Sequence, residues 1–215
     1  VREINEKAAN ISRQVMGNNG WVLTPVGPTG KMLITGEVTQ DELYEAFKEQ
    51  TIALEAGGAD VILVETMIDV EEACMAVKAA NENTNCEVAA TFTFDETEKS
   101  EFRTMMGNLP GDAASQARQS GADIVGANCG CGFERMVHIG SAIRETLPDI
   151  PILVHANAGM PKLVDGENVY PETPDTSAGY VPDLVDAGIS VIGGCCGTTP
   201  DHIRAIREAV DALGK

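Results

Sequence analysis

Short apolar runs alternate with stretches whose apolar residues recur three and four apart, from one end of the chain to the other. The first is the mark of a buried strand and the second of an amphipathic helix. Residues 2–16 put Ile4, Ala8, Ile11 and Val15 on one helical face. Residues 21–26 form a strand that ends in the tight loop Gly27-Pro28-Thr29-Gly30. A helix over 41–56 turns Leu43, Ala46, Phe47 and Leu54 inward, and a strand over 59–64 ends at Glu65. A helix over 70–80 carries Val70, Ala73, Cys74 and Val77 on one side. A strand over 87–94 follows, then a polar loop through residue 111 and a short helix over 112–119. The strand over 124–127 runs into Asn128-Cys129-Gly130-Cys131-Gly132, and a helix over 134–146 buries Met136, Ile139 and Ile143. A strand over 152–155 runs into Asn157-Ala158-Gly159-Met160-Pro161 and a Gly/Pro-rich loop to about residue 176. A helix over 177–187, a strand over 189–192 and a helix presenting Ile203, Ile206, Val210 and Leu213 close the series.

Near-continuous apolar strands separated by helices predict an α/β fold, with a parallel sheet covered on both faces. A weak internal repeat supports it. Gly58-Ala59-Asp60, Gly121-Ala122-Asp123 and Gly188-Ile189-Ser190 each end a helix and open a strand. Seven residues on from each glycine stand Glu65, Asn128 and Cys195, so strands in matching register deliver them to one rim. In parallel α/β folds that rim holds the active site. Six strands are predicted, each followed by a helix, with one helix ahead of them. A (β/α)8 TIM-type barrel needs two more, which the leading helix places upstream of Val1; a six-stranded open sheet is the alternative.

The stretch Gly193-Gly194-Cys195-Cys196-Gly197-Thr198-Thr199-Pro200 carries the sharpest chemical signal. Neighbouring side chains of a strand point to opposite faces, so two adjacent thiols converge only where the backbone turns sharply, as glycines permit. Thr199 then Pro200 suits a helix start, and that helix N-terminus favours thiolate. The pair reads as part of a metal site, as a redox or strained vicinal pair, or as a phosphate loop with incidental cysteines. Cys129 shares the predicted rim, and three thiols on one rim suit Zn2+ with its fourth position open; a closed site using Cys131 as well is the alternative. Glu65 suits a substrate ammonium or a structural carboxylate at the barrel mouth. Cys74 is expected in the core, His155 as a buried imidazole, and His138 and His202 on exposed helix surface; Cys86 carries no signal. Gly27–Gly30 is a weak candidate anion cradle.

Bulk composition narrows the partners. The 215 residues, 43% of them hydrophobic, suit one domain spanning 1–215. A net charge of −18 argues against nucleic acid or an anionic membrane as partner. No apolar run approaches the roughly 20 residues of a membrane span. Six cysteines without a secretory signal fit a reducing cytoplasm.

The segments "GANCG" at 126–130 and "GGCCGTTP" at 193–200 resemble the zinc motifs of the homocysteine S-methyltransferase family. "GPTGK" at 27–31, "GGADVILVETM" at 57–67 and "NAGMP" at 157–161 resemble further segments of it. The resemblance implies a (β/α)8 barrel holding Zn2+ on Cys129, Cys195 and Cys196, with homocysteine bound through sulfur. It implies that Glu65 contacts the substrate's amino group, with Asn128 and Asn157 also at the substrate. The family's first two strands, with their acidic Asp-Gly motif, have no counterpart here. The likeness is strongest to the cobalamin-dependent branch, which implies methylcobalamin on another domain or protein as methyl donor. A betaine- or sulfonium-dependent enzyme, or a truncated zinc-binding barrel without activity that self-associates through its sheet edges, are the alternatives.

Overall fold

The computed structural model describes residues 1–214. Its elements run α1 (Arg2–Met16), β1 (Leu23–Val26), α2 (Gln40–Ala56), β2 (Val61–Met67), α3 (Val70–Asn83), β3 (Glu87–Phe92), β4 (Asp95–Glu96), β5 (Phe102–Arg103), α4 (Pro110–Gln119), β6 (Ile124–Asn128) and α5 (Phe133–Thr146). They continue with β7 (Ile152–Ala156), β8 (Lys162–Val164), β9 (Glu167–Val169), α6 (Pro174–Gly179), α7 (Val181–Asp186), β10 (Val191–Gly194) and α8 (Pro200–Ala212). The six long strands pair in parallel in the order β1-β2-β3-β6-β7-β10 and curl into a half-barrel, with helices on the convex side. Its edge strands, β1 and β10, each pair on one side only among the described residues.

Strand parity divides the core in two. Ile62, Val64, Val88, Ala90, Val125, Ala127, Ile152 and Val154 face the helices and join the large outer cluster. Val61, Leu63, Ala89 and Leu153 point into the bore, with Leu23, Ile124 and Val191 packed around them. Both faces of each central strand are therefore apolar, which is why these strands read as continuous hydrophobic runs.

Helix starts follow local chemistry. Thr39 caps α2 in a reciprocal box with Glu42, and Asp69 caps α3 through the Glu71 N–H. Pro110 begins α4 two residues ahead of the expected start, since a proline loses nothing at a first helical position.

Four expectations are corrected. The helix expected over 177–187 is two short helices meeting at Tyr180, with α6 starting at Pro174 and Pro182 in the first turn of α7. The polar loop and the Gly/Pro-rich loop each hold a hairpin, β4–β5 and β8–β9. The second turns on Asp165-Gly166, both at positive φ (50° and 85°), the signature of a two-residue hairpin loop. Ala46 lies on the exposed side of α2, although Leu43, Phe47 and Leu54 are buried. Most consequentially, the apolar stripe of α1 faces solvent, with Ile4, Ile11 and Val15 at 75%, 64% and 85% exposure. The helix packs instead through Asn5, Ala9 and Arg13: Asn5 bonds Gln50, Ala9 sits on the bare Gly57, and Arg13 reaches Gly58 O and pairs with Asp60.

Gly126 is a tight point of the sheet. A Cβ there would strike the Leu153 carbonyl oxygen, which the β6–β7 pairing holds in place. Gly126→Ala should cost at least about 2 kcal/mol through overpacking, read as a lower thermal midpoint. An unchanged midpoint would show that the two strands can part without loss.

Candidate active site at the carboxyl rim

Parallel register carries the ends of β2, β3, β6, β7 and β10 to one rim. Cys129 N–H donates to His155 O at 3.0 Å and Cys195 N–H to Ala156 O at 2.7 Å, so both cysteine loops are anchored on β7. Asn157 N–H donates to Cys131 O at 3.0 Å and Ala158 N–H to Cys196 O at 2.9 Å, which ties the third loop to both. The result brings Cys129, Cys195 and Cys196 together, with all three Sγ atoms within 4.8 Å of one another. Cys129 and Cys196 sulfurs are 3.8 Å apart, and those of Cys195 and Cys196 4.0 Å.

These distances fit a metal. Tetrahedral coordination with Zn–S bonds of about 2.3 Å requires sulfurs about 3.8 Å apart. The electrostatics agree: burial first, then the neighbouring Cys129 and Cys196, push the Cys195 thiol up to about 12. The ionised form of Cys195 is thus disfavoured, and a dication at the cluster would remove that resistance. Cys131 stands apart from the cluster. It is buried against the outer core, and burial pushes its thiol up to about 12. Cys74 is half-buried against the same core, also with its pKa raised by burial.

Asn128 is the hub beneath the sulfurs and is 1% exposed. Its Oδ1 accepts from Thr66 N–H at 2.8 Å and from the Thr91 hydroxyl at 2.7 Å. Its Nδ2 donates to Thr66 Oγ1 at 2.8 Å and faces Cys195 Sγ at 4.0 Å. Thr66 and Cys129 both adopt φ 61°, an uncommon conformation outside glycine, and both flank this amide. A β2 register shift between Val64 and Met67 accompanies the Thr66 turn. Asn157 Oδ1 accepts the Cys196 N–H at 3.1 Å. The sequence reading gives both asparagines to the substrate; here Asn128 bonds Thr66 and Thr91, and Asn157 holds the cysteine turn, with no partner for its Nδ2 among the described residues.

Glu65 projects from β2 at the same rim. Burial alone acts on its carboxyl and raises its pKa, with no counter-charge or hydrogen bond offsetting it. Burial likewise lowers the pKa of His155, whose ring covers the bare Cα of Gly193. The Gly27–Gly30 loop is not an open anion cradle: buried Glu72 accepts the Thr29 N–H at 2.7 Å and its hydroxyl at 2.6 Å, placing negative charge where an anion would sit.

His202 overturns its expected exposure at 6%. Its Nδ1 accepts the Thr199 N–H at 3.2 Å, so Nε2 carries the proton and donates to Glu172 O at 3.0 Å. The signal was present, since Thr199 and His202 have capping-box spacing with histidine in the usual Glu/Gln place. Glu172 also donates its N–H to Ala158 O at 2.9 Å. Nothing in sequence marks Thr66, Thr91 or Glu172, whose partners lie on distant strands and loops.

Comparison with known proteins adds the following. The family profile described as homocysteine S-methyltransferase matches residues 1–210. Methionine synthase of Mycobacterium tuberculosis (strain ATCC 25618 / H37Rv) is 31% identical over 226 aligned positions, covering 98% of this chain and 18% of that protein. Methionine synthase of Mycobacterium leprae (strain TN) is 30% identical with the same coverage. This chain thus spans under a fifth of the length of those relatives. The homocysteine methyltransferase MmuM from Escherichia coli, in its apo form, superposes with a TM-score of 0.76 at 21% identity, over 97% of this chain and 74% of that one.

Because burial raises the Glu65 pKa, the ionised form is disfavoured in the folded chain. Folding therefore loses stability as pH rises above the ordinary value of 4.5, and nothing below it. Glu65→Gln should raise the melting temperature of the ligand-free chain at pH 7, with the gain vanishing below pH 4.5. A lower melting temperature at pH 7 would mean that the carboxylate holds the rim together.

Proposed function

The chain belongs to the homocysteine S-methyltransferase family, and on that premise we propose that it is the zinc-holding module that methylates the thiol of homocysteine to give methionine. The observation that carries the reading is the three-sulfur cluster, whose spacing suits one tetrahedral metal with a fourth position to spare. Cys129, Cys195 and Cys196 would hold Zn2+, which supplies a thiolate-rich centre able to take a substrate sulfur as thiolate at neutral pH.

The chain's own residues do the rest. Asn128 fixes Cys195, and Asn157 fixes the Cys196 peptide, so the sulfurs meet the metal without reorganising. Glu65 pairs with the homocysteine ammonium, which supplies the missing counter-charge to a half-buried carboxylate. The Nδ2 of Asn157 is the amide group left to meet the substrate. Cys196 is exposed, which leaves the cluster approachable by a bulky carrier. We assign the methyl donor as methylcobalamin on another domain or protein, and the setting as the cytoplasm. No helix among the described residues is long and apolar enough to cross a membrane.

Metal analysis tests the cluster. Serine at Cys129, Cys195 or Cys196 should abolish most of about one bound zinc per chain, whereas Cys131→Ser and Cys74→Ser should retain it. Full zinc in Cys129→Ser would remove that residue from the set. Binding of homocysteine to the zinc-loaded chain at pH 7 should release close to one proton, because a free thiol has a pKa near 8.5. Calorimetry in two buffers of different ionisation enthalpy counts it. Homocysteine binding with no proton released would overturn the thiolate mechanism.

A further inference from the structure

Tyr170 belongs to none of the motifs above, yet it stands over the sulfurs. It follows β9 directly, at the foot of the exposed hairpin 162–169. Its ring lies on Gly197, the residue after Cys196: a Cβ on that glycine would run into Tyr170 Cγ, Cβ and Cδ2. Gly197 has φ +79°, so the turn is one that other residues rarely adopt, and the ring occupies the room its missing side chain leaves. The Tyr170 phenol stands beside the Cys196 thiol, with Cys129 and Cys195 in its surroundings.

The placement of Tyr170 is enforced from behind. Two residues on, the Glu172 backbone is held at two points, by Ala158 O and by the His202 ring. His202 is locked in turn to Thr199, three residues after Cys196. A chain of contacts therefore runs from Cys196 through Thr199, His202 and Glu172 to Tyr170, whose ring returns to Gly197 beside Cys196. Exposed Cys196 would otherwise take its hydrogen bonds from water.

Resting on the metal reading above, we propose that Tyr170 is a positioning residue of the metal centre. Its ring clamps the Cys196–Gly197 turn, and its phenol donates a fixed hydrogen bond to the Cys196 sulfur in place of a fluctuating water. A partner of this kind orients a ligand and lowers its electron donation to the metal.

The chain loaded with Co2+ reports on both halves of the proposal. Tyr170→Phe keeps the ring and should bind Co2+ in full, with its sulfur-to-cobalt charge-transfer band shifted to longer wavelength because the thiolate donates more. Tyr170→Ala loses the clamp as well and should weaken Co2+ binding about 10- to 100-fold against a competing chelator, with a cooperative melt confirming that it folds. An unshifted band in Tyr170→Phe, or wild-type affinity in folded Tyr170→Ala, would overturn the proposal while leaving the three cysteine ligands standing. Failure of the unsubstituted chain to take up Co2+ would overturn the metal reading and Tyr170's role with it. A Tyr170→Ala chain that does not fold leaves the decision with the Tyr170→Phe band.

Discussion

The rim depends on one side-chain amide. Asn128 ends a central strand and uses both lone-pair directions of its oxygen and both protons of its nitrogen on groups from three other strands or their ends. A buried amide must have its partners, and here the partners are the neighbours whose spacing sets the site. Thr66 is turned into an otherwise unfavourable backbone conformation to supply two of those bonds, and Cys129 takes a similar one just beyond the amide. Local strain on both sides is held by the same network, which is the usual situation of a working site.

From that hub outward the contacts are short and mostly backbone. The loops after β6, β7 and β10 exchange peptide hydrogen bonds, so the sulfurs sit on a woven surface rather than on three independent loops. Glu72 does for the 27–30 loop what Asn157 does for the cysteine turn. Glu65 differs from both in having no protein partner among the described residues.

Sequence revealed the strands and the three cysteines because both follow from short-range pattern. Two-sided burial shows as unbroken apolar runs, and the equal spacing from each helix-ending glycine to Glu65, Asn128 and Cys195 is the register itself. The amphipathic stripe of α1 was equally plain, but its orientation was not: Ala9 fits against a bare Gly57 while bulky Ile4 and Ile11 do not lie against α2, and that choice is made by shape complementarity between distant segments. Pattern also failed where one residue did two jobs. His202 looks like a polar helix residue until its ring is seen capping its own helix and pinning a loop. Tyr170 looks like loop punctuation until the glycine it covers is found 27 positions on.

The plug of the bore has a further consequence. Val61, Leu63, Ala89 and Leu153 fill the space below the rim and separate it from the opposite end, where Arg13, Asp60 and the Val22 N–H are joined. These side chains neither donate nor accept hydrogen bonds, so they relay no proton between the foot and the sulfurs. The foot thus bears on how firmly α1 seats, and the rim on how the sulfurs are arranged, through separate sets of hydrogen bonds.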